Sequence, residues 1–472
     1  MNLAAMLMKN EESEDIAVTC RGQSMTYNGL SRHVRALAAS VPCQEAAIGI
    51  WMDNSIFYLE AYFAIIYSGN IVVPLSPKLS GREIRNISVD CGMKGLMSAG
   101  KYRERVESLE LSIPVWYVDE MDLEQEDGGD LQTARNYRLA VIIPTSGTTG
   151  NSKYVRLSHE AMYHSVEYIS RRFLRREGGK EALLLPFCSI LAQAEMLHCI
   201  SCKTQIILTE EEFDPHQLCD LFEDEKITSS GMVPSMLKLF GICAQMGKYK
   251  LDSLERIFFA GDYLSESDFK ILQEQLPKVS LIQAYGMTEI SPISMKEDDD
   301  FAYKPGSAGK TFPELTVRIR KEGGAWAEPG CVGEIYAGGP NLMEGYLHGE
   351  ELLPEDMIGT GDMGYLDEEG YLFICGRKKN IIISAGQNIY PEEVEAVLQG
   401  CPGIKEVMVY GQKSKDKGEI VAADIVPEDE GRFDRKAFYE YCRQNMAVYK
   451  IPVKLCLCEK IAKTATDKKV RK

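Results

Sequence analysis

Thr145-Ser146-Gly147-Thr148-Thr149-Gly150-Asn151-Ser152-Lys153 follows the apolar run Leu139 to Ile143, and its reading decides that of the whole chain. The run has the length and composition of a buried strand. Small residues, hydroxyls and one lysine then crowd into nine positions. Glycine lets backbone N–H groups turn toward a bound anion with no Cβ in the way. The Thr and Ser hydroxyls add donors and Lys153 adds a charge, so the stretch predicts a loop that cradles a polyphosphate. A Walker loop is excluded, because its second glycine and its lysine are adjacent, whereas Gly150 and Lys153 are not. A polar surface loop is the plainer alternative for any Gly/Ser/Thr cluster. The other motifs of the chain decide between the two.

The bulk properties narrow the field. A chain of 472 residues is longer than one hydrophobic core usually serves, so at least two domains are expected. The net charge of −17 argues against nonspecific nucleic-acid binding and against an anionic membrane surface. A nucleotide site must therefore be a local basic pocket in an acidic protein. No apolar run reaches the roughly 18 residues of a membrane span. Met1 to Met8 is apolar but short and has no basic leader, so no signal peptide is expected. Fourteen cysteines without an export signal suggest reduced thiols and a cytoplasmic location. Cys199 and Cys202 form a lone CxxC after His198, with no second pair at zinc-finger spacing, and read as buried structural thiols. Neither a Gly-x-Ser-x-Gly elbow nor a dinucleotide fingerprint competes with the phosphate-loop reading.

Along the first 138 residues, Ala46 to Trp51 and Ile71 to Leu75 read as strands and Ser55 to Tyr67 as a helix, which makes βα units. Residues 119–130 carry seven acids and read as a solvated connection. After the loop, Ser158 is a helix cap, and Met162, Val166, Ile169 and Phe173 recur at helical spacing as core. A helix starting there would bring its positive end toward a bound anion. Phe258-Phe259-Ala260-Gly261-Asp262-Tyr263 reads as a buried strand ending in a turn. In Ala284-Tyr285-Gly286-Met287-Thr288-Glu289, the Tyr285 ring can stack on a purine and Gly286 permits close approach. Thr288 can bond a phosphate, and Glu289 is a hard oxygen ligand of the kind Mg²⁺ takes beside substrate phosphates. In Thr360-Gly361-Asp362, the carboxylate has the acceptor capacity for two hydroxyls. Gly376-Arg377-Lys378-Lys379-Asn380 is a charged knot between two apolar strands, as expected of an interdomain linker. Beyond it, Pro391 opens a helix that Gly400 ends, residues 405–410 and 418–427 read as strands, and residues 433–445 as a helix.

These motifs, in this order, resemble the AMP-forming adenylating superfamily of acyl- and aryl-CoA synthetases, luciferases and peptide-synthetase adenylation domains. The signature loop and Tyr285-Gly286-Met287-Thr288-Glu289 are the most specific matches, and the likeness runs from about residue 67 to the C-terminus. Tyr67 to Leu75 matches a structural motif, as do Gly333 to Tyr336 and Asn341 through Gly345-Tyr346. The resemblance implies an α/β fold. A large N-terminal domain, residues 1–376, would hold α/β subdomains and a small β-barrel-like part. A mobile α+β lid, residues 377–472, would complete the chain.

It also implies roles. Thr145, Ser146, Gly147, Thr148, Thr149, Gly150 and Lys153 would hold the ATP phosphates. Gly261, Asp262, Tyr263, Ala284, Tyr285, Gly286, Met287 and Thr288 would line the adenine and α-phosphate, and Glu289 would hold Mg²⁺. Asp362 would accept both ribose hydroxyls, Arg377 would touch the ribose, Lys379 would be the hinge, and Gly386 would border the pantetheine tunnel. The ending Lys463-Thr464-Ala465-Thr466-Asp467-Lys468 is similar to the last family motif and places Lys468 at the catalytic lysine. Ala462 stands where the family has proline, and Asp467 where it has glycine, so an acid adjoins Lys468. The acid-binding motif after Leu184-Leu185-Pro186-Phe187 departs further. Cys188, Ser189 and Ala192 replace an aromatic residue, a histidine and a glycine, so Ser189 and Ala192 read equally as pocket wall or as buried helix.

The implied reaction activates a carboxylic acid with Mg-ATP and passes the acyl group to a thiol, with free coenzyme A favoured. Loading of a carrier protein is the alternative within the class. A non-catalytic nucleotide-binding regulator is the alternative outside it, and Asp467 is the feature that favours it.

Overall fold

The apolar run Leu139–Thr145 is a strand, and its mainly buried residues pair on one side with Ile71–Pro74, through Val72 and Val141, and on the other with Lys153–Ser158. The computed structural model describes residues 2–41, 44–123, 138–145, 153–173, 178–209, 214–247, 249–262, 264, 266–384, 387–414, 418–429 and 433–463. Among them are three sheets. The first has six strands, in the order Val115–Tyr117, Gly95–Ser98, Ala47–Trp51, Ile71–Pro74, Leu139–Thr145, Lys153–Ser158. All its pairs are parallel except the last.

The helix Ile56–Tyr67 crosses between two of these parallel strands and is buried on nearly every face. A helix apolar all round must lie inside a core. This one packs in a cluster that joins Ile48, Val72 and Val141 of the first sheet to Val18, Leu183 and Ile206 of the second. Ser55 caps it by accepting from Tyr58 N at 3.2 Å. Gly69, at φ +76°, turns the chain into the next strand, which makes Tyr67 to Leu75 a fold element as expected. Its one acid, Glu60, is answered by His33 at 2.7 Å, and burial raises the carboxyl above its ordinary range.

The second sheet has thirteen strands. Its parallel part comprises Ile16–Cys20, Gln205–Leu208, Lys180–Leu183, Ser229–Met232, Arg256–Phe259 and Ser280–Met287, with Gln23–Thr26 antiparallel at the Ile16–Cys20 edge. At Ser280–Met287 the pairing turns antiparallel, through Ile290–Lys296, Ser307–Thr311, Tyr371–Arg377, Ile358–Leu366, Gly333–Gly338 and Thr316–Arg320. The smaller β part expected from the sequence is thus an antiparallel continuation of the large sheet, with its own core around Ile290, Ile319, Ile335 and Leu372.

The third sheet lies in the C-terminal part. It contains Gln387–Ile389, Ile382–Ser384, Gly418–Pro427 and Ile404–Ser414, with Lys454–Leu457 added in parallel. The helices Pro391–Gln399 and Arg435–Asn445 contribute Val394, Leu398, Phe438 and Cys442 to its separate core. Pro391 and Gly400 bound the first helix as predicted. The strand read at 405–410 is longer, because its partner Gly418–Pro427 pairs with it out to Ser414. No helix of the described residues is long and apolar enough to cross a membrane.

Candidate active site

The site forms where the parallel and antiparallel halves of the large sheet meet. Ser280–Met287 and Ile290–Lys296 are a hairpin, and Thr288-Glu289 is its two-residue turn. Ala284 is buried, Tyr285, Met287 and Thr288 are half-buried, and Gly286 is exposed at the strand end. Gly261, at φ +96°, breaks the neighbouring strand Arg256–Phe259, so that Gly261-Asp262 stands exposed beside this strand end. A side chain at Gly261 would be strained.

One cluster centres on Asp362. It lies directly opposite Arg377 on adjacent antiparallel strands. Arg377 Nε is 2.7 Å from Asp362 Oδ1, and Tyr285 Oη donates to Asp362 Oδ2 at 2.7 Å. The Asp362 N–H donates to Thr360 Oγ1 at 3.1 Å, and Thr360 donates in turn to Ile335 O at 3.1 Å. Asp362 thus has a buried carboxylate held by Arg377 on one oxygen and Tyr285 on the other, with its backbone anchored by Thr360, while the Arg377 side chain stays about half exposed, at 47%. Burial, and then the Asp362 charge, push the Tyr285 phenol well above its ordinary value. Tyr285 was read for its ring alone. Its hydroxyl bond was invisible in the sequence, because Tyr285 and Asp362 are 77 residues apart.

A second cluster centres on Glu289. Its side chain is buried, and Tyr346 Oη donates to its Oε1 at 2.7 Å. The Lys153 ammonium lies 4.7 Å from the centroid of the same tyrosine ring. Burial and the bond to Glu289 raise the Tyr346 phenol. Lys153 pairs with Thr145 across the two strands that flank the signature loop, and Thr145 Oγ1 donates to Lys153 O at 3.2 Å. Ser146, Gly147, Thr148, Thr149 and Gly150 lie outside the described residues, as do Tyr263, Gly386 and Lys468. Tyr346, which contacts both Glu289 and Lys153, is the residue of this cluster that sequence reading missed. Gly345-Tyr346 was noticed, but as structure.

Glu289 has the chemistry for a divalent cation. It is a buried hard-oxygen donor, and among the described residues no lysine, arginine or histidine pairs with it. No group of three His, Cys, Asp or Glu occurs among the described residues. A Mg²⁺ that keeps one carboxylate, substrate phosphates and water needs no such cluster.

The remaining predicted residues occupy two places. Lys378–Asn380 is a short 3₁₀ turn between the strands Tyr371–Arg377 and Ile382–Ser384, and Lys379 is exposed on it. Lys378 pairs with Glu334 at 2.8 Å, and Asn380 Nδ2 donates to Glu392 Oε1, on the helix Pro391–Gln399, at 3.1 Å. Ser189 caps the helix Ile190–Ser201 by accepting from Ala192 N at 3.3 Å, and Ala192 is wholly buried. Ser189 is thus a half-buried helix cap and Ala192 a core residue of the same helix. Cys199 is buried in that helix and Cys202 ends it.

Residues 8–347 match the AMP-binding enzyme family, and residues 393–468 match the AMP-binding enzyme C-terminal domain. The chain belongs to the AMP-binding enzyme family. Its relatives include the 2-succinylbenzoate–CoA ligase of Listeria monocytogenes, 29% identical over 96% of this chain and 95% of the relative. The indoleacetate–CoA ligase of Aromatoleum aromaticum is 30% identical over 94% of this chain and 90% of its own. Among solved structures, o-succinylbenzoate coenzyme A synthetase from Bacillus subtilis, in complex with ATP and magnesium ion, superposes with a TM-score of 0.84. It is 26% identical and covers 98% of this chain and 97% of its own. The mixed α/β fold of this AMP-binding enzyme, with a large N-terminal and a small C-terminal part, is that of these adenylating enzymes.

Proposed function

We propose that this AMP-binding enzyme is an AMP-forming acid:coenzyme A ligase. The observation that carries the reading is the pair of clusters at the two ends of one strand-turn segment. Tyr285 and Glu289 are four residues apart; the first bonds the buried Asp362, and the second shares Tyr346 with Lys153. A nucleotide lying along this segment would meet hydroxyl acceptors at one end and a cation-binding carboxylate with a lysine at the other. The relatives named as CoA ligases support coenzyme A as the acceptor.

In the reaction, a carboxylate oxygen of the acid attacks the α-phosphorus of ATP and the bond to pyrophosphate breaks. The thiolate of coenzyme A then attacks the acyl carbon, and AMP leaves with the bonding electrons. Magnesium, when bound, neutralises charge on the leaving phosphates. Glu289 would hold it, with Lys153 and the signature loop on the same phosphates. Asp362 would fix the ribose, with Arg377 beside it, and the Tyr285 ring would lie on the adenine. This work is positioning and charge stabilisation. Residues 377–472 would act as the lid, turning at Lys379 between the two steps and bringing Lys468 to the α-phosphate in the first.

Pyrophosphate exchange into ATP tests the reading. Relatives named for 2-succinylbenzoate and indoleacetate put aromatic acids first in the panel, ahead of fatty and amino acids. One acid should drive Mg²⁺-dependent exchange. Tight ATP binding with no exchange across the panel would favour the regulator, and exchange followed by acylation of a carrier protein but not of coenzyme A would favour the carrier-loading alternative.

A further inference from the structure

Two opposite charges contact one aromatic side chain. Glu289 and Lys153 do not pair with each other; Tyr346 touches both, its hydroxyl on Glu289 Oε1 at 2.7 Å and its ring centroid 4.7 Å from the Lys153 ammonium. A lysine and a carboxylate free to approach would neutralise one another, and each would lose its hold on the phosphates and the cation. The tyrosine meets each charge with a different part of its side chain. The face of the ring attracts the ammonium, and the phenolic O–H donates to the carboxylate. Among the described residues no other donor reaches the Glu289 carboxylate, so one of its oxygens is fixed and Oε2 remains for a cation.

The backbone holds this ring in place from both sides. Met343 N donates to Glu289 O at 2.8 Å, and Ile290 bridges Leu342, which ties the segment to the large sheet. Leu347 N donates to Tyr154 O at 2.9 Å, Arg156 N to Gly345 O at 3.1 Å and Glu344 N to Arg156 O at 2.8 Å, which ties it to the six-stranded sheet. Residues 342–347 are therefore a strap between the two sheets, with Tyr346 at the point where it spans the site. Gly345 has φ +108°, and a Cβ there would lie 2.3 Å from Glu350 O, so the residue before the tyrosine must be glycine for the strap to keep this path.

We infer that Tyr346 is a positioning residue of the adenylation site: its hydroxyl orients Glu289 for the divalent cation, and its ring keeps Lys153 from collapsing onto that carboxylate. The inference rests on the Mg²⁺ role of Glu289 proposed above. Partners that orient metal ligands typically contribute 10–100-fold in metal affinity.

The test is a titration of Mg²⁺ against ATP binding, measured by calorimetry without the acid, for the wild type, Tyr346→Phe, Glu289→Gln and the double variant. Tyr346→Phe keeps the ring and removes only the hydroxyl. It should raise the Mg²⁺ concentration for half-maximal ATP binding by roughly 10-fold or more, and add nothing in the Glu289→Gln background. Tyr346→Leu, which also removes the ring, should in addition weaken ATP binding at saturating Mg²⁺, an effect relieved by added salt as a Lys153–Glu289 pair is screened. An unchanged Mg²⁺ requirement in Tyr346→Phe, where Glu289→Gln does shift it, overturns the positioning role, whatever happens to thermal stability. An unchanged requirement in Glu289→Gln itself overturns the Mg²⁺ reading and this inference with it.

Discussion

Arg377 Nε lies 2.7 Å from Asp362 Oδ1, across two antiparallel strands and at the last residue before the turn that leads into the C-terminal sheet. The carboxylate read as the ribose ligand is thus already organised by a cation at the exit of the large sheet, and by Tyr285 from the other side. Removing its charge should be felt in nucleotide binding. Asp362→Asn loses hydrogen bonds that involve a charged group, each contributing about 1.5–3 kcal/mol. The expected outcome is a fall of roughly 10–100-fold in kcat/KM for ATP, measured by initial-rate kinetics with the acid saturating. An unchanged value would remove Asp362 from the site.

Tyr285→Phe separates the ring from the hydroxyl. The bond to the charged Asp362 contributes about 1.5–3 kcal/mol, so a rise of roughly 10–100-fold in KM for ATP is expected. Tyr285→Ala should cost more, because it also removes the stacking face. Equal losses in the two variants would show that the ring contributes nothing.

Much of this was legible in the sequence, and the reasons differ by residue. The helix Ile56–Tyr67 was legible in its helical pattern, and the helix starts at Ser158 and Pro391 because a cap and a first-turn proline act locally. Asp362 and Glu289 said little one at a time and were named through the order of the motifs around them. Their partners could not be named this way. Tyr346 is 57 residues from Glu289, and only the pairing of a strap with two sheets brings them together. Ser189 was ambiguous for a related reason. A serine after Pro-Phe serves equally as a pocket donor or a helix cap, and here its hydroxyl accepts the Ala192 N–H.

The hinge reading predicts a split between the half-reactions. Lys379 sits exposed on the turn Lys378–Asn380, between a strand of the large sheet and a strand of the C-terminal sheet. Lys379→Pro fixes φ and removes an N–H, so pyrophosphate exchange should persist while thioester formation falls sharply. Equal loss in both steps would place the hinge elsewhere.

Lys468→Ala should reduce adenylation by ~10²–10³, the usual cost of one preorganised charge-stabilising group, and spare thioester formation from a supplied acyl-adenylate. Lys469→Ala is the comparison. If Lys469→Ala were the more damaging change, the alignment across Asp467 would be off by one residue.

Lys296 gives a prediction about stability. It is 2% exposed, and burial pushes its ammonium down to about 8 from an ordinary value of 10.5. Between those two values the unfolded chain binds more protons than the folded one, so stability rises with pH across this window and the cost is fully present below about 8. Lys296→Met should therefore stabilise the protein at pH 7 by on the order of 1–3 kcal/mol, seen as a higher Tm. The gain should shrink toward pH 10. A constant difference at both pH values would assign the effect to packing instead.

The most direct measurement of the central claim takes the acid found by exchange, adds ATP, Mg²⁺ and coenzyme A, and quantifies every product in one time course. The ligase reading predicts AMP, pyrophosphate and acyl-coenzyme A in equal amounts, saturable in coenzyme A and absent without the acid. AMP and pyrophosphate accumulating while coenzyme A is untouched would contradict it.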